Sequence, residues 1–170
     1  MNIGILSDSH GDGPETARAI ALLNARGAKK LVHCGDLCGI NVLDELAGHD
    51  SVFVWGNCDD PDLTMRRYVA AIGLPWPEVP VTFEAAGKRF AVFHGHEPAF
   101  AAALRSGEFD YVLHGHSHQF AYTRDGNTRI INPGALHRAR IHTVGLLVPV
   151  TGELRILDVA TGHPVLVRSE

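Results

Sequence analysis

No stretch of this sequence approaches the roughly 20 consecutive apolar residues needed to cross a bilayer, so a membrane span is not expected. There is no basic segment ahead of the first apolar run, Ile3 to Leu6, which reads as a strand and not as an export signal. Positive charge is also scarce. Fifteen Lys and Arg stand against nineteen Asp and Glu, for a formal charge of −4. A chain so balanced has no basic face to announce nucleic acid, and long RNA or DNA is not expected as a partner. A small anionic substrate stays open, because bound divalent cations invert the local sign of the field. Cysteine is sparse and odd in number: Cys34, Cys38 and Cys58 alone. Without an export signal this predicts a reducing cytoplasm and no structural disulfide. Three cysteines spread over such an interval make no zinc knuckle.

What the sequence has in surplus is histidine, eleven in 170 residues. The length suits one domain spanning residues 1–170, and the 45% hydrophobic and 20% charged content is ordinary for a globular protein. The apolar pattern predicts a strand over 2–7, a helix over 15–26 with Pro14 in its first turn and Gly27 as its stop, and a short strand at Leu31 and Val32. A second helix follows over 41–47, a third strand over 51–55 and a further helix over 63–71. Residues 74–80 hold three prolines and cannot be regular. This strand–helix–strand–helix–strand opening predicts a parallel, doubly wound beginning.

The second half reads differently. Hairpins are signalled by 81–85 and 88–93 around Ala86-Gly87, by 120–124 and 128–131 around Asp125-Gly126-Asn127, and by 144–150 and 154–159 around Thr151-Gly152. A short helix over 99–105 and a strand over 111–113 lie between them. Two packed sheets with helices outside would bury all of this.

Chemistry gathers where apolar runs end: Asp8-Ser9-His10, Gly35-Asp36, Gly56-Asn57-Cys58-Asp59, His94-Gly95-His96 and Gly115-His116-Ser117-His118. Sheets of this type bind ligands beyond the carboxyl ends of their strands. Residues two apart in an extended segment share a side, which pairs Asp8 with His10 and His116 with His118. Carboxylate, imidazole and amide oxygen together suit manganese, iron or zinc better than calcium, and a central carboxylate could bridge two ions. Singly, each piece has a plainer meaning: an aspartate after a strand is commonly a cap or turn residue, and two histidines can decorate a surface. Five in succession, each at a strand end, make the joint pattern specific.

Taken in order, Asp8-x-His10, Gly35-Asp36, Gly56-Asn57-x-Asp59, His94 and Gly115-His116-x-His118 resemble the calcineurin-like metallophosphoesterase superfamily. The Gly56-Asn57-Cys58-Asp59 form and the later Asn132-Pro133-Gly134 are similar to its small single-domain prokaryotic phosphodiesterases. The resemblance covers about residues 1–150. It implies an α/β fold, a four-layer α/β/β/α sandwich of two mixed sheets flanked by helices, with two divalent metal ions between the sheet ends. Manganese is the ion expected, with iron, zinc, nickel and magnesium as alternatives. On this resemblance Asp8, His10, Asp36 and His118 hold one ion, and Asp36 bridges to a second completed by Asn57, His94 and His116. His96 then lies beside the pocket without binding metal. The implied reaction is hydrolysis of a small phosphodiester by in-line attack of a hydroxide held between the ions. Asp36 and His10 are the central catalytic candidates, and Asp59 either supports the ligands or meets the leaving group.

Position 58 departs from many members, which have histidine there to protonate the leaving group. Cys58 is then either a substrate-side thiol or a buried packing residue; Cys34 and Cys38 are expected to pack in the core or loops. Two alternatives remain open. One is a metal-binding protein-interaction scaffold of the same fold; the other is a phosphomonoesterase or cyclic-nucleotide hydrolase with the same ligands. Pro98 to Phe100 and Leu136 to Arg140 are candidate pocket walls. Association of copies is also left open, with the prolines and Trp76 as the candidate contact.

Overall fold

The computed structural model describes residues 1–168. The chain runs β1 (Asn2–Leu6), α1 (Gly13–Ala25), β2 (Ala28–His33), α2 (Ile40–Leu46), β3 (Ser51–Phe53), α3 (Leu63–Ala71), β4 (Val81–Ala85), β5 (Lys88–Val92), α4 (Phe100–Arg105), β6 (Tyr111–Leu113), β7 (Ala121–Asp125), β8 (Thr128–Asn132), β9 (Thr143–Val148), β10 (Glu153–Asp158) and β11 (Pro164–Arg168). One sheet has the order β11-β10-β9-β1-β2-β3 and the other β4-β5-β6-β8-β7. Both are mixed. In the first, β1, β2 and β3 are parallel and β9 joins β1 antiparallel. In the second, β5, β6 and β8 are parallel, with β4 and β7 antiparallel at the edges.

Side-chain alternation along these strands separates the interior into three apolar layers. Ile3, Ile5, Val32, Phe90, Val92, Tyr111 and Leu113 face between the sheets. Leu6, Leu31 and Phe53 point the other way, toward α1, α2 and α3. Ala91, Phe93 and Val112 face outward beneath Phe100, Ala103 and Leu104 of α4. Three layers of core between two sheets and two sets of helices amount to the four-layer sandwich expected. No helix among the described residues is long and apolar enough to cross a membrane.

Local signals set the helix starts. Asp12 accepts a hydrogen bond from the Glu15 amide at 2.9 Å, so α1 begins at Gly13, two residues before the apolar pattern suggested. Asp62 caps α3 in the same way through Met65. Trp76, the candidate contact between copies, is half-buried and packs against Trp55 with ring centroids 5.3 Å apart. Strand β11 was not anticipated. It pairs with β10 at the sheet edge, and Val165 and Val167 stay exposed, so it lacks the buried alternation that betrays a strand.

Between the sheets, Phe83, Phe90 and Tyr111 stack in sequence, each pair of centroids 4.7 Å apart. Phe90 is fully buried at the centre of this stack. Phe90→Ala is expected to cost about 3–5 kcal/mol in denaturant unfolding; a loss below about 1 kcal/mol would mean the two sheets do not rely on this stack.

Candidate metal centre

All the candidate ligands fall just beyond the carboxyl ends of parallel strands. Asp8 and His10 follow β1, Asp36 follows β2, Asn57 follows β3, His94 follows β5, and His116 and His118 follow β6. Because β1–β3 and β5–β6 run parallel within their own sheets, the packed sheets present these loops at one end. One ligand atom from each of Asp8, His10, Asp36 and His118 lies within 4.8 Å of all the others. Within this group His118 Nε2 is 3.2 Å from Asp8 Oδ1, His10 Nε2 is 3.5 Å from Asp36 Oδ2, and the two histidine Nε2 atoms are 3.3 Å apart. A second set surrounds His94. Its Nε2 is 3.0 Å from Asn57 Oδ1 and 3.4 Å from Asp36 Oδ1, and the His116 ring centroid is 5.0 Å away. Asp36 thus stands between the two sets with one oxygen toward each.

The backbone here is held in conformations that ordinary side chains avoid. Asp8, His10, Asp36, His116 and His118 all have positive φ, between 44° and 70°. Such residues persist only where their surroundings over-determine them, and they cluster at functional sites. The surroundings are visible. Asp8 Oδ2 accepts the His116 amide at 3.1 Å, tying the β1 loop to the β6 loop across the sheet interface. Asp36 Oδ1 accepts the Cys58 amide at 2.9 Å. A Cβ at Gly56 would lie 2.1 Å from Asp36 Oδ1, and one at Gly115 would lie 1.9 Å from Ser7 Oγ. Only glycine lets these two loops approach so closely.

The residues fit a cation. Asp8 Oδ1 is fully buried without a hydrogen-bond partner, an orphaned anionic acceptor of the kind a bound ion satisfies. His94 Nδ1 meets the Cys34 carbonyl at 2.8 Å, which calls for a proton on Nδ1 and turns Nε2, the atom a metal would take, toward Asn57 and Asp36. Burial pushes the Asp36 carboxyl upward, but the His94 ring and the Cys58 amide outweigh it and hold the group well below the usual carboxylate range. Asp36 is therefore ionised at neutral pH. His10 is lowered, first by burial, against the raising effect of Asp36; a neutral imidazole is the form that ligates.

The remaining sequence candidates are placed as follows. The Asp59 carboxylate accepts the Cys38 amide at 2.7 Å, the Gly56 amide at 2.7 Å and the Leu37 amide at 3.2 Å. With both oxygens on backbone amides it clamps the β2 and β3 loops together, which favours support over leaving-group contact. His96 is exposed, with its ring centroid 5.4 Å from that of His94, at the edge of the second set. Cys34 is buried in the inter-sheet core as expected. Cys38 and Cys58 are both exposed, which corrects the buried-packing alternative for Cys58 and leaves Cys38 in a loop and not in the core. Cys38 Sγ lies 3.5 Å from His10 Nδ1, and loss of solvent followed by the nearby Asp59 and Asp36 carboxylates pushes its thiol up to about 12. The Cys58 thiol is also raised, by desolvation and by Asp36.

The way several further residues organise the centre is not visible in the sequence. Glu97 accepts the His94 and Gly95 amides, each at 2.7 Å, and so shapes the β5 loop. Asn132 donates to the Gly115 carbonyl at 2.8 Å and to Ser117 Oγ at 3.1 Å, bracing the loop that carries His116 and His118. The Asn-Pro-Gly triplet was a signal for that residue; a glutamate three positions past a ligand is a weaker one. His137 brings its ring within 5.4 Å of the His10 ring. His33, wholly buried, bonds Ser9 Oγ at 2.8 Å through Nε2 and accepts the Gly35 amide at 3.2 Å on Nδ1. Nothing in its local sequence distinguishes it from a strand residue.

The profile of the calcineurin-like phosphoesterase superfamily domain matches residues 1–151. The chain belongs to this family. Among curated superfamily members it is 28% identical over 153 residues to phosphodiesterase MJ0936 of Methanocaldococcus jannaschii, covering 86% of this chain and 92% of the relative. It is 29% identical over 154 residues to phosphodiesterase YfcE of Escherichia coli K12, covering 80% and 79%. A solved structure of an archaeal phosphodiesterase superposes with a TM-score of 0.83 at 27% identity, covering 93% of this chain and 99% of that one. Vps29 from Entamoeba histolytica, solved with zinc, shares the fold with a TM-score of 0.67 at 21% identity over 100% of this chain and 97% of that one. The two-sheet sandwich is thus that of the calcineurin-like phosphoesterases, and the family is one of metal-dependent hydrolases.

Two outcomes follow from the loop geometry. Gly56→Ala would drive a methyl group into Asp36, and a loss of metal affinity of at least about tenfold is expected by titration of stripped protein; wild-type affinity would mean that the β3 loop relaxes freely. His33 is held neutral by burial, then by the nearby His94 charge, with its pKa lowered to about 3. Between that value and the ordinary ~6.5 of an unfolded histidine, the unfolded state binds the extra proton, so stability rises with pH across the window. The metal-free protein should lose thermal stability steadily as pH falls from about 6.5 toward 3. A melting temperature flat across that range would contradict the buried neutral assignment.

Proposed function

We propose that this chain is a dinuclear metal-dependent phosphodiesterase acting on small phosphodiesters. The observation that carries the reading is the convergence of one ligand atom from each of Asp8, His10, Asp36 and His118 within 4.8 Å, around a buried Asp8 Oδ1 that accepts no hydrogen bond and has the His118 Nε2 at 3.2 Å. The similarity to proteins named phosphodiesterases supports the choice of diester over monoester. Asp8, His10, Asp36 and His118 would hold one ion; Asp36, Asn57, His94 and His116 would hold the other. Manganese is the ion proposed for a donor set of carboxylate, imidazole and one amide oxygen. When bound, the ions would supply an activated water aimed in line at phosphorus and neutralise charge on the phosphoryl oxygens.

The protein's own groups prepare that chemistry. The Cys34 carbonyl fixes the His94 tautomer, and Asp59 and Glu97 hold the loops that carry Asp36, Asn57 and His94. His96 and Cys58 stand exposed at the mouth, where a substrate arm would pass. With its pKa raised, the Cys58 thiol keeps its proton at neutral pH and is a reluctant donor to a departing alkoxide. Turnover then depends on the leaving group's own stability as an anion.

The test is hydrolysis of bis(p-nitrophenyl) phosphate by metal-stripped protein before and after addition of Mn²⁺, with Asp36→Ala alongside. Turnover that requires metal and falls at least about a hundredfold in the variant is expected. Bound metal without turnover of diesters or monoesters would instead favour a protein-interaction role. Across a series of aryl and alkyl diesters, the rate should drop steeply as the leaving-group pKa rises; a flat series would argue for an efficient proton donor.

A further inference from the structure

A cleft of about 590 Å³ opens directly beside His118, between the loop after β6 and the segment joining β8 to β9. Its volume lies within the range of small-molecule sites. One wall is Gln119 and Phe120, the other Arg138, Arg140 and Ile141. Phe120 and Ile141 are large apolar residues left 39% and 43% exposed, so their faces are offered to whatever enters. Among the described residues, no carboxylate lines the cleft. Neither Arg138 nor Arg140 has an ion-pair partner among the described residues, in a chain of net charge −4. The contrast with the opposite side of the centre is sharp. There a hollow of about 300 Å³ is lined by Cys38, Cys58, Asp59 and Asp60 and would repel an anion.

Arg138 carries the most weight. Its backbone is left-handed, at φ 52°, in a segment pinned where Thr143 Oγ1 donates to the Pro133 carbonyl at 2.7 Å. Arg140 also borders a second hollow, whose lining includes Glu15 and Asp158, so its surroundings are less purely cationic than those of Arg138.

We propose that this cleft receives a nucleotide-type arm of the substrate: a flat ring against Phe120 and Ile141, and a second phosphate on Arg138 with help from Arg140. A ring stacks on an exposed phenyl face, and a guanidinium binds phosphate through paired hydrogen bonds. The two sides of the centre then sort the ester arms. The anionic, ring-bearing arm lies beside His118, and the arm on the Cys58 side carries no second negative charge. The assignment rests on the phosphodiesterase reading and adds a substrate class to it.

The experiment uses Mn²⁺-loaded protein and compares thymidine 5′-(p-nitrophenyl phosphate) with the same diester bearing a 3′-phosphate. The 3′-phosphate should raise kcat/KM by about tenfold or more, the worth of one charge-assisted contact. That ratio should fall toward one in Arg138→Gln and stay unchanged in Arg155→Gln, which removes a distant charge on β10. In parallel, calorimetry with thymidine 3′,5′-bisphosphate should show binding that thymidine lacks and that Arg138→Gln weakens about tenfold. Equal kcat/KM for the two diesters in the wild type, or a ratio indifferent to Arg138, overturns the proposal. Bisphosphate binding that depends on Arg138 without turnover of any diester upholds the cleft assignment while the phosphodiesterase reading falls.

Discussion

Two carboxylates, Asp8 and Asp36, are buried at the end of an apolar sandwich, and the construction of the centre answers to their charge. An ionised carboxylate away from water is costly unless it is hydrogen-bonded or paired. Each has one oxygen on a backbone amide from a different loop, Asp8 on His116 and Asp36 on Cys58. Imidazoles surround the rest. That requirement explains the left-handed backbone at five candidate ligands and the glycines at 56 and 115, since the amides reach the carboxylates only if the loops fold back tightly. It also explains why cations suit the site. The protein supplies negative charge in excess of what its own donors satisfy, and Asp8 Oδ1 is the part left over.

The parallel strand ends and their ligands were legible because each combines an apolar run with a ligand flanked by glycine, a pairing with few other physical causes. The helices were legible from periodicity, and their starts became exact only with Asp12 and Asp62 as caps. Strand β11 was not legible: it begins at a proline, and Val165 and Val167 are exposed, so no buried face imprints itself on the sequence. The supporting residues Glu97 and His33 were equally hidden, and Asn132 was marked by its Asn-Pro-Gly motif but not by its bracing role. Their roles depend on backbone groups brought near by long-range packing, such as the 17 positions between Asn132 and Gly115. Exposure of Cys38 and Cys58 went unread for a related reason. A cysteine's sequence neighbours say little about whether a loop turns it inward, and here both stand exposed on loops whose amides are held by buried or half-buried carboxylates, Cys38 by Asp59 and Cys58 by Asp36.

The division of labour between the sheets follows from their directions. Each sheet holds a block of three parallel strands, β1–β2–β3 in one and β5–β6–β8 in the other, whose following loops carry the chemistry at one end; the antiparallel strands lie beside these blocks, β9, β10 and β11 on one side of the first and β4 and β7 at the two edges of the second. The wall segment between β8 and β9 also belongs to this scheme. The chain leaves one sheet there and returns to the other, and Arg138 to Ile141 hang over the seam where loops from both sheets meet.

That return has a consequence for how the molecule comes into being. Strand β1 carries Asp8 and His10, yet one of its two flanking strands is β9, which begins at residue 143. A ribosome delivers Asp8, His10, Asp36 and Asn57 long before His94, His116 and His118. The growing chain therefore holds an acidic, half-built set of ligands whose first strand is still open on one side. Completion waits for the last quarter of the sequence, when β9 pairs with β1 and β10 and β11 follow it, so the candidate metal centre is among the last features that synthesis can finish.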